Sequence, residues 1–142
     1  MRSSREEAAT PLGPIGQIAR TVSNADRAEV FYGETLGLRK LYRFGDLVFF
    51  DCAGVRLMLS PPENGGAVPA DQGIIYFRVP DLALAVAELR AKGVEIAAEP
   101  ALTAPMPDHD LWMAFLHDPD GHLVGLMMEA PKGYVLSSAA AP

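Results

Sequence analysis

From residue 15 onward, apolar and polar positions switch between two periods, and the switches occur twice. The stretch "IGQIARTVSNADRAEVFYGETLGL" begins as a short alternating strand and passes through Asn24 into a helical pattern in which Ala28, Phe31, Tyr32 and Leu36 share a face. The stretch "GIIYFRVPDLALAVAELRAKGV" does the same through Asp81, with Leu82, Ala85, Val86 and Leu89 at i, i+3, i+4 and i+7. Asn24 and Asp81 carry side-chain oxygens suited to accept the unpaired N–H groups of a first helical turn. Gly37 and Gly93 fall where a helix end needs a left-handed residue. Val22 matches Val79 and Asn24 matches Asp81 at one offset, 57 residues (79 − 22 and 81 − 24). The chain contains an internal repeat.

After each helix the period falls to two. "RKLYRF", "LVFFDC" and "VRLMLS", separated by "GD" and "AG" turns, predict a three-stranded meander; "VEIAAEP", a longer loop, "LWMAFLH", a "DPDG" turn and "HLVGLMME" predict another. Each half is therefore read as β-α-β-β-β, with residues 14–62 as the first module and 74–131 as the second. The Pro- and Gly-rich residues 63–73 read as a linker, residues 1–13 as a flexible arm and 132–142 as a flexible tail. The class is α+β, with helices on one side of mostly antiparallel strands. In the last strand His122, Val124, Leu126 and Met128 form the packing face. Leu123, Gly125, Met127 and Glu129 form the other. A mid-strand glycine such as Gly125 marks a bulge or a close approach by ligand or backbone.

Composition narrows the function classes. At 142 residues and 49% hydrophobic, the chain suits one compact domain or two half-domains sharing a core. The net charge of −6, without a basic stripe, argues against nucleic acid as a partner. No apolar run approaches the roughly 20 residues of a membrane span, and the first residues carry acids rather than an apolar leader segment. Cys52 is the single cysteine, so no intrachain disulfide forms, and a cytoplasmic location is expected. Cys52 has no helix N-terminus beside it to lower its pKa, and the chain has no phosphate loop or dinucleotide fingerprint. His109, in "PMPDHDLW", is read either as a solvated loop residue or, with Asp108 and Asp110, as an acid–base group over a cleft.

The tandem β-α-β-β-β pattern, with "VSNADRAEVFYGETLGL", "VPDLALAVAELRAKGV" and "DPDGHLVGLMME" in order, resembles the vicinal oxygen chelate superfamily, which includes glyoxalase I, bleomycin-resistance proteins and extradiol dioxygenases. The resemblance covers residues 14–131. It implies that the two modules curl their sheet into a U-shaped cleft whose inner face takes a small molecule or a metal ion, often in a homodimer. Metal-using members place one ligand in each of four strands. Those positions fall here on Gln17, Met58, Ile74 and Gly125, of which only Gln17 offers a weak oxygen ligand. The inherited metal site is therefore expected to be degenerate.

Alternation puts Thr21 in the cleft with Gln17, and Tyr76 and Arg78 with Ile74. Arg78 is expected to bind an oxyanion, while Trp112 and Phe49 or Phe50 add aromatic walls. The expected function is binding of a small organic molecule in an apolar cleft, with no cofactor assigned. The alternative is a lyase, isomerase or dioxygenase-like enzyme that uses a divalent metal relocated to Gln17 and Glu129, with His109 as a further candidate ligand, or acid–base groups alone, for which His109 and Glu129 are the candidates.

Overall fold

The computed structural model describes residues 11–136, so most of the expected arm and part of the expected tail lie outside the described residues. The first module runs β1 (Gln17–Thr21), α1 (Ala25–Val30), β2 (Arg39–Phe44), β3 (Leu47–Cys52) and β4 (Val55–Ser60). The second runs β5 (Ile75–Arg78), α2 (Leu82–Ala91), β6 (Ile96–Pro105), β7 (Asp110–His117) and β8 (Leu123–Ala130). Each module makes a four-stranded mixed sheet, ordered β1-β4-β3-β2 and β5-β8-β7-β6, with one parallel pair apiece: β1 on β4 and β5 on β8.

Both helices start as their caps dictate. Asn24 Oδ1 accepts from the Arg27 N–H at 2.9 Å and Asp81 Oδ1 from the Leu84 N–H at 3.1 Å. Gly37 and Gly93 then take φ values of +82° and +86°, which close the helical segments cheaply only with glycine. The first helix departs from a uniform period. After Val30 it widens into a π turn, Phe31–Thr35, closed by the Leu36 N–H on the Phe31 carbonyl at 2.8 Å. Gly33 lets that turn lie against Phe50, since a Cβ there would stand 3.2 Å from its ring.

Each helix buries its stripe on its own sheet. Val22, Ala28, Tyr32, Phe50, Leu57 and Leu59 form one buried cluster; Leu82, Val86, Leu89, Leu116, Val124 and Leu126 anchor the other. Phe31 and Leu36 pack against both clusters, and Lys92 Nζ donates to the Thr35 carbonyl at 3.1 Å, so the helices join the modules.

Two segments differ from the sequence reading. β6 continues to Pro105 instead of ending near Pro100, because it is an edge strand whose irregular register absorbs both prolines. The loop expected after it shrinks to a turn, closed by the Met106 N–H on the His109 carbonyl at 2.8 Å. The linker is also stitched to the sheets. Gln72 pairs its amide with both the N–H and the carbonyl of Thr21, at 2.7 and 2.8 Å, standing in for a neighbouring strand on the β1 edge.

Candidate functional site

The faces turned away from the helices carry the candidate chemistry. On sheet two, Tyr76, Gly125 and Phe115 stand side by side across β5, β8 and β7. A Cβ on Gly125 would lie 2.5 Å from Cδ2 of Tyr76 and 2.8 Å from Cε2, so the tyrosine ring lies flat across the glycine. The ring meets Phe115 edge-on at 5.8 Å. The close approach signalled by Gly125 is thus made by a side chain of the same protein. Further along the face, Glu129 stands 3.8 Å from the Arg78 guanidinium and 3.9 Å from His109 Nε2, while His109 Nδ1 lies 2.8 Å from Asp108. That last hydrogen bond holds the Asp108 carboxyl below the ordinary range.

On sheet one, Ala19, Met58 and Phe49 stand side by side across β1, β4 and β3, and Gln17 lies opposite Arg56. Arg56, two residues before Met58 on the same face, is the centre of the group. Its Nε donates to Gln17 Oε1 at 2.7 Å, its Nη1 to Tyr42 Oη at 2.8 Å, and its guanidinium lies 5.5 Å from the centre of the Phe49 ring. The second Gln17 amide atom, Nε2, faces Met58 Sδ at 3.8 Å. Asp51, opposite Arg56 in the register, is instead tied to the Gly54 N–H at 3.0 Å and to Arg39 at 3.1 Å, which in that order hold its carboxyl low. No carboxylate pairs with Arg56 among the described residues.

A model of the Glyoxalase/Bleomycin resistance protein/Dioxygenase superfamily matches residues 14–126. The chain belongs to that superfamily. Solved structures agree at the level of the fold. A lactoylglutathione lyase from Agrobacterium tumefaciens is 22% identical over 84% of this chain and 96% of its own, with a TM-score of 0.66. TnmS3, an antibiotic binding protein from Streptomyces sp. CB03234, is 23% identical over 85% and 99%, with a TM-score of 0.68. A superfamily member from Sphaerobacter thermophilus is 23% identical over 83% and 98%, with a TM-score of 0.67. No curated protein matches the chain at a significant level.

Glyoxalase-superfamily membership makes the metal question concrete, and the side chains at the expected positions fit a metal poorly. The Gln17 oxygen already accepts from a guanidinium, and a cation placed there would meet Arg56 at close range. Ile74, 38% exposed just before β5, and Met58 offer no hard donor. Gly125 offers none and is covered by Tyr76. Elsewhere, Asp118, Asp120 and His122 bring ligand-type atoms within 4.8 Å of one another. Their oxygens are engaged in holding the turn. Asp118 Oδ1 accepts the Asp120 and His122 N–H groups at 3.0 and 2.9 Å, and its Oδ2 accepts the Tyr32 hydroxyl at 2.8 Å. Asp120 is bound by Ser23 and by Arg27 at 3.1 Å. His122 Nε2 lies 2.7 Å from the Pro69 carbonyl, and its buried Nδ1, 3.8 Å from Asp118 Oδ1, has no hydrogen-bond partner among the described residues.

The remaining expected residues scatter. Trp112 sits opposite Met128, on the helix side of sheet two, where it packs against the core and meets Tyr134 edge-on at 5.8 Å. It is not a cleft wall. Phe50 is fully buried and Phe49 is the aromatic on the open face. Thr21 takes its place beside Ser60 with its backbone held by Gln72. Burial and the neighbouring Asp51 push the Cys52 thiol up, away from nucleophilic use. Tyr76 and Arg78 also border a cavity of about 570 Å³ between the modules, with Ile18, Leu57, Ile75 and Met127.

Two arginines were absent from the expected set. Arg20, only 2% exposed, donates to the Gly73 carbonyl at 2.8 Å and to Tyr32 Oη at 3.3 Å, and Tyr32 in turn holds Asp118. Burial, then Asp118, push the Tyr32 phenol far up, so it remains a proton donor. Arg56 had a sequence signal, since it shares the alternation of Met58 in "VRLMLS".

Proposed function

We propose that this superfamily member binds a small organic molecule against the open faces of its two sheets, without a resident metal at the family's ligand positions. The carrying observation is the state of those positions: Gln17 bonded to Arg56, Met58 and Ile74 without hard donors, and Gly125 beneath the Tyr76 ring. The lining is apolar and aromatic with few polar fixtures, the composition of an organic-ligand site. The likeness to TnmS3 supports the same reading, because that protein binds an antibiotic on this fold. The open faces expose Phe44, Tyr42 and Tyr76, which supports a homodimer in which a second copy completes the cleft. Among the described residues no helix is long and apolar enough to cross a membrane, which fits the proposed cytoplasmic location.

The deciding experiment is elemental analysis of untagged protein, followed by titration with Fe(II), Mn(II), Ni(II) and Zn(II). Less than about a tenth of an equivalent of metal and no tight binding are expected. Near-stoichiometric metal that disappears in Glu129→Ala would overturn the reading. An enzymatic reading has one specific observation in its favour, the approach of His109 Nε2 to Glu129 at 3.9 Å beside Arg78. It predicts turnover that survives a chelator and is lost in Glu129→Gln.

A further inference from the structure

We infer that the sheet-one half of the proposed cleft is a recognition site for an aromatic carboxylate, with Arg56 as its anchor. The inference rests on the small-molecule reading above and adds the chemical class of the ligand. Three observations carry it. The Arg56 guanidinium is held from two directions, by Gln17 Oε1 at 2.7 Å and Tyr42 Oη at 2.8 Å, so its plane is fixed before any ligand arrives. Of its five N–H groups those two are used, and the other three, one on Nη1 and two on Nη2, have no partner among the described residues. A planar fork with free donors suits a two-pronged bond to a carboxylate.

The surroundings select an aromatic body for that acid. Phe49 lies under the guanidinium, Tyr42 meets Phe49 at 4.8 Å between ring centres, and Phe44, 68% exposed, meets Tyr42 at 5.6 Å. A flat ring continuing from the carboxylate would extend this row of aromatic faces. Arg78, the arginine that alternation favours for the same task, stands 3.8 Å from Glu129, whose charge already offsets it. Arg56 has no such rival, because Asp51 is committed to Arg39 and Gly54.

The test compares 1-naphthoate with its neutral isostere 1-naphthamide by calorimetric titration of the full-length protein. Naphthoate is expected to bind at least about tenfold more tightly than the amide, about 1.4 kcal/mol, and Arg56→Gln is expected to abolish that difference. Arg90→Gln, which removes a cation from the outer surface of α2, serves as the charge control and should retain the difference. Because Arg56 is exposed, its variant should fold, and an unchanged melting curve verifies this. A preference that persists in Arg56→Gln, or one that vanishes only in Arg78→Gln, overturns the assignment. Equal binding of both compounds by the wild type also overturns it while leaving the small-molecule reading in place. If neither compound binds, the aromatic site is absent, and elemental analysis then separates the failure of this inference from the failure of the broader reading.

Discussion

Gly125 offers the sharpest test of how the cleft face is built. A Cβ there would meet three Tyr76 ring atoms at 2.5, 2.8 and 3.1 Å, so Gly125→Ala must swing the ring off the strand. The ring, 43% exposed, has solvent to move into, and the protein should still fold. The displaced ring forfeits its edge contact with Phe115, about 0.5–1.5 kcal/mol. It also re-exposes roughly 40 Å² of apolar surface, about 1 kcal/mol. Against this, alanine recovers about 0.5–1 kcal/mol over glycine in a strand. The net expectation is a loss of about 0.5–2 kcal/mol, a melting midpoint lower by about 2–10 °C for a domain of this size. In a Tyr76→Ala background the obstruction is gone, so the same substitution should stabilise by about 0.5–1 kcal/mol. Urea unfolding of the four proteins at one concentration closes the cycle, with a coupling of about 2 kcal/mol. An equal effect of Gly125→Ala in both backgrounds would refute the claim that the ring is the reason for the glycine.

Other consequences follow from the junction and from the charged turns. Tyr32→Phe removes the hydroxyl that Asp118 accepts and that Arg20 donates to, leaving a buried carboxylate short of a donor; unfolding in urea should show a loss of about 2 kcal/mol. Asp110 accepts from Lys132 Nζ at 2.7 Å and from the Gly133 N–H at 3.0 Å, and both hold its carboxyl below the ordinary range. A carboxyl lowered on folding binds fewer protons in the native state than in the unfolded one. Its contribution is therefore complete above the unfolded value near 3.9 and lost as pH falls through the folded value. Asp51 and Glu29 are lowered in the same direction. Stability should be flat in these groups from about pH 5 to 7 and fall below about pH 4. Asp110→Asn should make that fall shallower in midpoints measured from pH 3 to 6. If the pH profile is unchanged, the Lys132 contact contributes nothing in solution.

The parts of this fold that were legible in the sequence are those fixed within a few residues. Asn24 and Asp81 cap helices because the N–H groups they accept lie three positions on, and Gly37 and Gly93 end helices through their own φ angles. The parts that were not legible depend on partners distant in sequence. Arg20 is buried in β1 because carbonyls at Gly73 and Leu123 and the hydroxyl of Tyr32 converge on it, which no pattern in "QIART" announces. Trp112 was assigned to the wrong face for a related reason. Both faces of "LWMAFLH" are apolar, so alternation cannot say which is inward, and only the pairing of Trp112 with Met128 decides it. In β6 repeated register shifts break the period of two, and the strand outruns its own signal.

The repeat itself explains why the two cleft faces came to differ. At the offset of 57 residues, Ile18, Arg20 and Val22 correspond to Ile75, Phe77 and Val79 on the helix side, while Gln17, Ala19 and Thr21 correspond to Ile74, Tyr76 and Arg78 on the open side. Four of the six helix-side residues are Ile or Val, two matched pairs; Val22, Ile75 and Val79 pack with the buried clusters beneath the helices, whereas Ile18 is 39% exposed. The open-side residues share nothing, because no helix packs over them. The difference has a geometric consequence. Ala19, beside Met58, leaves sheet one uncovered next to the Arg56 and Phe49 pair, whereas Tyr76, beside Gly125, lays a ring over the matching place on sheet two. In the proposed cleft, sheet one therefore presents a fixed guanidinium with unpaired N–H groups beside the exposed Tyr42 and Phe44, and sheet two presents an aromatic surface already closed against its own backbone.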